Sequence, residues 1–263
     1  MKKTIAFIGV GNMATAILKG MTDQENIVLY DKDTTKYAAF SDFGYKTATS
    51  PADAVRAADY IVLAVKPQNF SELLASLEGE DFSGKTFISI AAGVPISRIT
   101  GALGEDVACI RTMPNTPLMI GHGVTAITRN QNVTDDSFDF ACELFGRLGS
   151  VAVIDESDMN TIISVTSSSP AYVYLFIKAI CDSAEAQGLK LDNLNELVAH
   201  TLIGSAEMFL RSEKSADELI RMVTSPGGTT ERAMNVLYDG DFVGMIDRAM
   251  RDCTKRAIEL SNN

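Results

Sequence analysis

The run Ile5-Ala6-Phe7-Ile8-Gly9-Val10-Gly11-Asn12-Met13-Ala14 decides the fold. Four successive apolar residues read as a strand covered on both faces. Gly9, Gly11 and Ala14 then form a G-x-G-x-x-A turn leading into a helix. Gly9 allows the tight turn, Gly11 lets the backbone approach a pyrophosphate, and Ala14 keeps helix and strand close. The first N–H groups of that helix lack intrahelical acceptors and can meet an anion. A glycine turn can also be a plain connector. Its place between the first strand and the first helix of a βαβ unit points to dinucleotide binding.

Working outward, short β-branched runs recur at 4–9, 27–31, 46–49, 60–65, 86–90, 107–112, 123–128 and 150–154. Helical periodicity lies between several of them, at 12–21, 71–77 and 136–148. Runs such as Ile61-Val62-Leu63-Ala64-Val65 are apolar at every position, which fits a parallel sheet with helices on both sides. After Asp155-Glu156-Ser157-Asp158 the strand signal ends. A long pattern over 161–187 contains Pro170 and is apolar nearly all round at 171–180. Such a helix needs cover on every side, so a partner chain is expected. Further helical patterns follow at 193–211, 232–238 and 241–260, and Ser215-Ala216-Asp217-Glu218 reads as a capping box opening another helix. The expected architecture is a doubly wound, mostly parallel α/β domain over 1–156, followed by an all-α domain over 157–263.

The chain has 263 residues and is 46% hydrophobic, enough apolar mass for a packed core rather than a disordered chain. Its net charge is −11, with no basic run, which argues against nucleic acid as a partner. Cys109, Cys142, Cys181 and Cys253 form no CxxC pair, and His122 and His200 are the only histidines, so neither a zinc site nor a disulfide framework is expected. The first apolar run is too short for a secretory signal, and no stretch approaches the roughly 18 apolar residues that span a bilayer. A reduced, cytoplasmic protein without membrane contact is expected.

The strand ends carry the candidate site, because ligands of doubly wound sheets bind at the carboxyl ends of the strands. Asp31 closes the second strand, where an acidic residue hydrogen-bonds a ribose 2′-hydroxyl and repels the 2′-phosphate of NADPH. Lys32 follows it and could offset that repulsion, so NADH and NADPH both stay open. Lys66, after Ala64-Val65, is placed to meet a phosphate or a substrate carboxylate, or is a surface lysine. Ser89-Ile90-Ala91-Ala92-Gly93 offers small residues beside a nicotinamide ribose or for close packing. Arg111-Thr112-Met113-Pro114-Asn115-Thr116-Pro117 fixes an irregular loop at the crevice. Ser225-Pro226-Gly227-Gly228-Thr229-Thr230-Glu231 feeds a helix N-terminus, either as a carboxylate-sized nest or as ordinary capping.

These motifs, in this order and from end to end, resemble the pyrroline-5-carboxylate reductase family. The resemblance rests on 9–14, Ala64-Val65-Lys66-Pro67, Ala91-Ala92-Gly93, the 111–117 run and Ser225-Pro226-Gly227-Gly228-Thr229-Thr230. It implies a Rossmann domain, an interleaved helical dimerisation domain, NADPH or NADH as cofactor, and reduction of 1-pyrroline-5-carboxylate to proline. By resemblance, Ile8, Gly9, Val10, Gly11, Asn12 and Met13 line the cofactor phosphates. Ala64, Val65, Lys66 and Pro67 lie along the cofactor, as do Ile90, Ala91 and Ala92. Ser225, Gly227, Gly228 and Thr229 hold the substrate carboxylate, Thr230 meets the ring nitrogen, and Glu213 falls near the substrate. Three departures stand out. Ser167-Ser168-Ser169 precedes Pro170-Ala171-Tyr172 where Gly-Ser-Gly is common. Pro51 replaces an Asn that touches the cofactor in many members. Asp31-Lys32 replaces a pair suited to NADPH.

The iminium carbon of such a substrate is already electrophilic, which explains a chain without histidine clusters or paired carboxylates. The rival readings are a β-hydroxyacid dehydrogenase and a catalytically silent dinucleotide-sensing dimer. The first needs a catalytic lysine on the helix after the nucleotide domain, and Lys178 sits deep in an apolar run of sequence, a poor place for it. The second needs no substrate nest.

Overall fold

In the computed structural model, residues 2–21 and 25–261 are described. Eight strands are β1 (Thr4–Ile8), β2 (Asn26–Tyr30), β3 (Lys46–Thr47), β4 (Tyr60–Leu63), β5 (Thr86–Ser89), β6 (Ala108–Pro114), β7 (Gly123–Arg129) and β8 (Gly149–Val153). They form one sheet in the order β3-β2-β1-β4-β5-β6-β7-β8. Every pairing is parallel except β6 with β7. The exception follows from chain length. Only residues 115–122 separate β6 from β7, too few for a helical crossover, so the chain turns back beside itself. Asn115 holds this turn: its Oδ1 accepts from the Val124 N–H at 2.8 Å, and its Nδ2 donates to the Thr166 carbonyl at 2.9 Å.

The unbroken apolar strands are explained by two cores, one on each face. Ile5, Phe7 and Val62 point into one layer, against Ile17 and Leu18 of α1 (Asn12–Lys19) and Leu144 and Phe145 of α5 (Asp135–Gly146). Ala6, Ile8, Ile61 and Leu63 point the other way. They meet Val55 of α2 (Pro51–Arg56), Phe70 and Leu73 of α3 (Phe70–Ala75) and Ile99 of α4 (Ile96–Leu103). Each fully buried side chain of this kind contributes about 2 kcal/mol. Between β2 and β3 the chain forms a 3₁₀ turn, Thr34–Phe43, capped by Asp33, where the sequence shows no helical period.

Beyond β8 come a π-helical turn, Ile163–Ser167, and then α6 (Ser169–Ala186), α7 (Leu194–Arg211), α8 (Ala216–Val223), α9 (Thr229–Asp239) and α10 (Phe242–Ser261). Pro170 sits in the first turn of α6, where its missing N–H costs nothing. The helical pattern expected over 161–187 is therefore divided at this point. The capping box at Ser215 forms in full. Packing divides the chain into Met1–Ser168 with Cys253–Asn263, and Ser169–Asp252. Composition changes at 156/157 because the strands end there. The last turns of α10 pack with the first unit: Ser261 Oγ donates to Asn160 Oδ1 at 3.1 Å, and Thr254 Oγ1 to Ser164 Oγ at 3.3 Å.

In the second unit, Cys181, Leu194 and Val198 are the buried apolar residues among those described. Tyr174, Leu175 and Phe176 of α6 are exposed, as are Leu210 of α7 and Val236 of α9. This is the uncovered apolar surface expected of α6.

Gly149 opens β8 at φ 142°, and a Cβ there would lie 2.1 Å from the Gly123 carbonyl oxygen. Gly149→Ala should cost about 3 kcal/mol or more, from backbone strain and a clash that only backbone movement relieves. Urea unfolding should show a lowered midpoint at unchanged slope.

Candidate functional site

β1 and β4 are neighbours in the sheet while the chain proceeds outward in opposite directions from them, so a crevice opens at their carboxyl ends. A cavity of about 530 Å³ lies there. Ile8, Gly9, Gly11, Asp31 and Lys32 line it, with Ala64, Val65 and Lys66 opposite. Gly9 has φ 100°, and a Cβ on it would fall 2.7 Å from the Ala64 carbonyl oxygen. Nothing lies within 4 Å of a Cβ on Gly11, so that backbone faces open space. Gly11 caps α1 without a side-chain hydrogen bond, leaving the helix N-terminus available to an anion. The cradle therefore fits the pyrophosphate of a dinucleotide.

Other expected residues stand beside the cavity rather than in its lining. Asn12 and Met13 begin α1, Val10 is buried, and Pro67 opens a 3₁₀ turn, Pro67–Asn69. Ile90, Ala91 and Ala92 follow β5. The Ile90 N–H donates to the Leu63 carbonyl at 3.2 Å, and Ala91 is buried. Pro51, the first residue of α2, does line the cavity. A second cleft, of about 420 Å³, lies by the amino ends of β5 and β6, away from the crevice that this topology uses.

Asp31 is the most engaged side chain of the cavity. Its Oδ2 accepts from the Val10 N–H at 2.7 Å and from Lys36 Nζ at 2.8 Å, and its Oδ1 accepts from the Asp33 N–H at 2.9 Å. The Tyr37 hydroxyl accepts from the Asp31 N–H at 2.7 Å. The Asp31 side chain is 11% exposed. Burial pushes its carboxyl up, but the hydrogen bonds from Lys36, Val10 and Asp33 outweigh it, and its pKa falls below the usual carboxylate value. Lys32 pairs with Glu72 at 2.6 Å. Sequence reasoning found neither Lys36 nor Glu72. Lys36 carried a weak signal in its nearness to Asp31, whereas Glu72 lies 40 residues from Lys32 and carried none.

Arg111, midway along β6 rather than at its end as expected, is 2% exposed and tied to Glu156 at 3.4 Å and Asn160 at 3.0 Å. Burial pushes its guanidinium pKa down, against the pull of Glu156. Glu156 also accepts from the Ile96 N–H at 2.7 Å. Arg111 to Pro114 thus belong to β6 rather than to a loop; the irregular segment begins at Asn115, whose side chain braces the turn into β7.

The loop before α9 lies in the second unit. Gly228 caps α9, Gly227 is left-handed at φ 76°, and the Gly228 N–H donates to the Ser225 carbonyl at 2.9 Å. The Gly227 N–H meets Glu231 Oε2 at 2.9 Å, so one donor of the nest already holds a carboxylate of this chain. Thr229 and Thr230 are the first two helical residues, where N–H groups lack intrahelical acceptors. Glu213 occupies a left-handed turn, φ 55°, between α7 and α8. Lys178 lies within the apolar run of α6, with its side chain exposed and paired with Asp182. Among the described residues no cluster of His, Cys, Asp or Glu is arranged to hold a metal, and no helix is long and apolar enough to cross a membrane.

A doubly wound sheet, a glycine cradle at its switch point and a helical second unit define a dinucleotide-dependent oxidoreductase. Comparison with known proteins narrows the class. Residues 156–260 match the model for pyrroline-5-carboxylate reductase dimerisation, and residues 4–93 match that for NADP oxidoreductase, coenzyme F420-dependent. The chain is 35% identical to the pyrroline-5-carboxylate reductase of Escherichia coli, over 100% of both chains. It is similar to the crystal structures of the Streptococcus pyogenes enzyme (TM-score 0.90, 29% identity, 98% of both chains) and of the Plasmodium falciparum enzyme with NADP bound (TM-score 0.89, 27% identity, 99% of both chains). The chain belongs to the pyrroline-5-carboxylate reductase family.

Because the folded Asp31 carboxyl is the stronger acid, its stabilisation is complete above the unfolded pKa and is lost as pH falls through the folded one. The difference in unfolding free energy between wild type and Asp31→Asn should stay flat from about pH 5 to 8 and shrink below about pH 4. Urea denaturation across pH measures it. A gap that widens on acidification would contradict the assignment.

Proposed function

We propose that this chain reduces 1-pyrroline-5-carboxylate to L-proline with NADPH or NADH, the last step of proline biosynthesis. The observation that carries the reading is the match to the E. coli reductase over the whole of both chains. When bound, the reduced nicotinamide would supply a hydride to C5 of the protonated cyclic imine. The ring nitrogen keeps the electron pair of the former double bond, together with its proton.

The protein's work is then placement. The cradle at Ile8, Gly9, Val10, Gly11, Asn12 and Met13 holds the cofactor phosphates. Ala64, Val65, Lys66 and Pro67, with Ile90, Ala91 and Ala92, flank the rest. Ser225, Gly227, Gly228 and Thr229 hold the substrate carboxylate through backbone N–H and hydroxyl donors. Either Glu231 gives up the Gly227 N–H on binding, or the carboxylate rests on the start of α9. The Thr230 hydroxyl donates a hydrogen bond to the lone pair that develops on the ring nitrogen as the hydride arrives at C5, and Glu213 adds an acidic group to the substrate region. The uncovered apolar face of α6 supports assembly as a homodimer or a higher oligomer. Four free cysteines support a reducing, cytoplasmic setting, and the charge of −11 supports a protein that binds neither nucleic acid nor membrane.

Purified protein should consume NADH or NADPH only when pyrroline-5-carboxylate is present; consumption of neither rejects the reading. Thr230→Ala should lower kcat/KM by about one to two orders of magnitude, the usual loss for one positioned donor, at unchanged circular dichroism. Leu175→Glu should shift the sedimenting species toward the single-chain mass, because the charge would have to be buried in the assembly.

A further inference from the structure

The cavity at the β1–β4 switch point carries a charge arrangement that bears on which nicotinamide dinucleotide the enzyme takes. Its fixed element is Asp31, held by two backbone N–H groups and 11% exposed. Two lysines stand at the same rim, and each already has a carboxylate partner. Lys36 is on Asp31 at 2.8 Å, and Lys32 is on Glu72 at 2.6 Å. The four groups cancel. Lys66, across the cavity, has no ion-pair partner among the described residues.

An adenosine ribose with free 2′- and 3′-hydroxyls needs only an acceptor, and Asp31 supplies one in its present position. A 2′-phosphate brings a charge of about −1.5 to −2. It must draw both lysines away from their carboxylates, and each lysine that moves leaves a bare carboxylate facing the phosphate. Lys32–Glu72 is solvent-exposed and separates readily, but Asp31 cannot retreat, because the Val10 and Asp33 N–H groups anchor it.

We propose that Asp31, anchored by the Val10 and Asp33 N–H groups and with its carboxylate charge neutralised by Lys36, while Lys32 is paired with Glu72, makes this enzyme select NADH over NADPH. The proposal rests on the cofactor reading of the cavity. It is distinct from the substrate reading, since it concerns the adenosine end of the cofactor.

Calorimetric titration of the wild-type protein with NADH, NADPH, AMP and adenosine 2′,5′-bisphosphate tests it without turnover. NADH should bind at least about tenfold tighter than NADPH, and AMP tighter than the bisphosphate, with the gap narrowing as salt rises. Glu72→Gln frees Lys32 and should tighten NADPH and the bisphosphate several-fold while leaving NADH within about twofold. Asp31→Ser should reverse the NADH-to-NADPH preference in binding and in kcat/KM. NADPH binding as tightly as NADH to the wild type overturns the selectivity. So does a Glu72→Gln variant that moves both dinucleotides equally. Failure of both dinucleotides to bind overturns the cofactor reading as well, whereas selective NADH binding without imine reduction leaves selectivity standing and rejects only the substrate.

Discussion

The structure depends on the close approach of β1 and β4 at their carboxyl ends. Gly9 must take a left-handed conformation with its α-carbon hard against the Ala64 carbonyl, and a side chain has no room there. The chain leaves β1 at this contact and enters α1 at Asn12, with Gly11 as its N-cap. The backbone of Gly11 is left bare. The anion cradle is thus produced by packing, and no basic residue is needed to form it. A protein with net charge −11 can therefore still offer a place to a pyrophosphate.

Around that contact the sheet imposes its own logic. Successive residues of β1 and β4 serve different cores, so an unbroken apolar run is required where a half-solvated strand would alternate. The second unit is built in the opposite sense. Its helices leave Tyr174, Leu175, Phe176 and Leu210 in solvent, and only a few of its apolar residues are buried. An isolated helical unit of this kind is an incomplete core. A family whose matching model is defined by dimerisation is where such a unit is expected.

Much of this was legible because it rests on local rules. The G-x-G-x-x-A turn, the apolar runs of β1 and β4 and the Ser215 capping box each follow from residues a few positions apart. What was not legible depends on folded geometry. The six-residue α2 shows too few turns for a clear period, whereas α4 keeps a helical period at Ile96, Ile99 and Leu103 that the sequence reading passes over. The reversal at β7 follows from connector length rather than from strand composition. The site divides in the same way. Gly9, Gly11 and Asp31 were visible from their spacing, whereas the Glu72 partner of Lys32 comes from another helix 40 residues on. The Gly227 nest was visible as a glycine pair before a helix, but Glu231 reaching back into it was not, because a side-chain rotamer decides it.

The end of α10 carries one more consequence. Residues from Cys253 onward belong to the first packed unit, and Ser261 bonds to Asn160 across 101 positions of sequence. The first unit is therefore interrupted by the second. During synthesis, β1 to β8 leave the ribosome before α10, so the surface around Asn160 and Gly93 waits for residues made 101 positions after Asn160. Completion of the nucleotide-binding unit is thereby coupled to synthesis of α10. A ribosome that stalls within α10 releases a product whose sheet is formed but whose closing helical turns are missing.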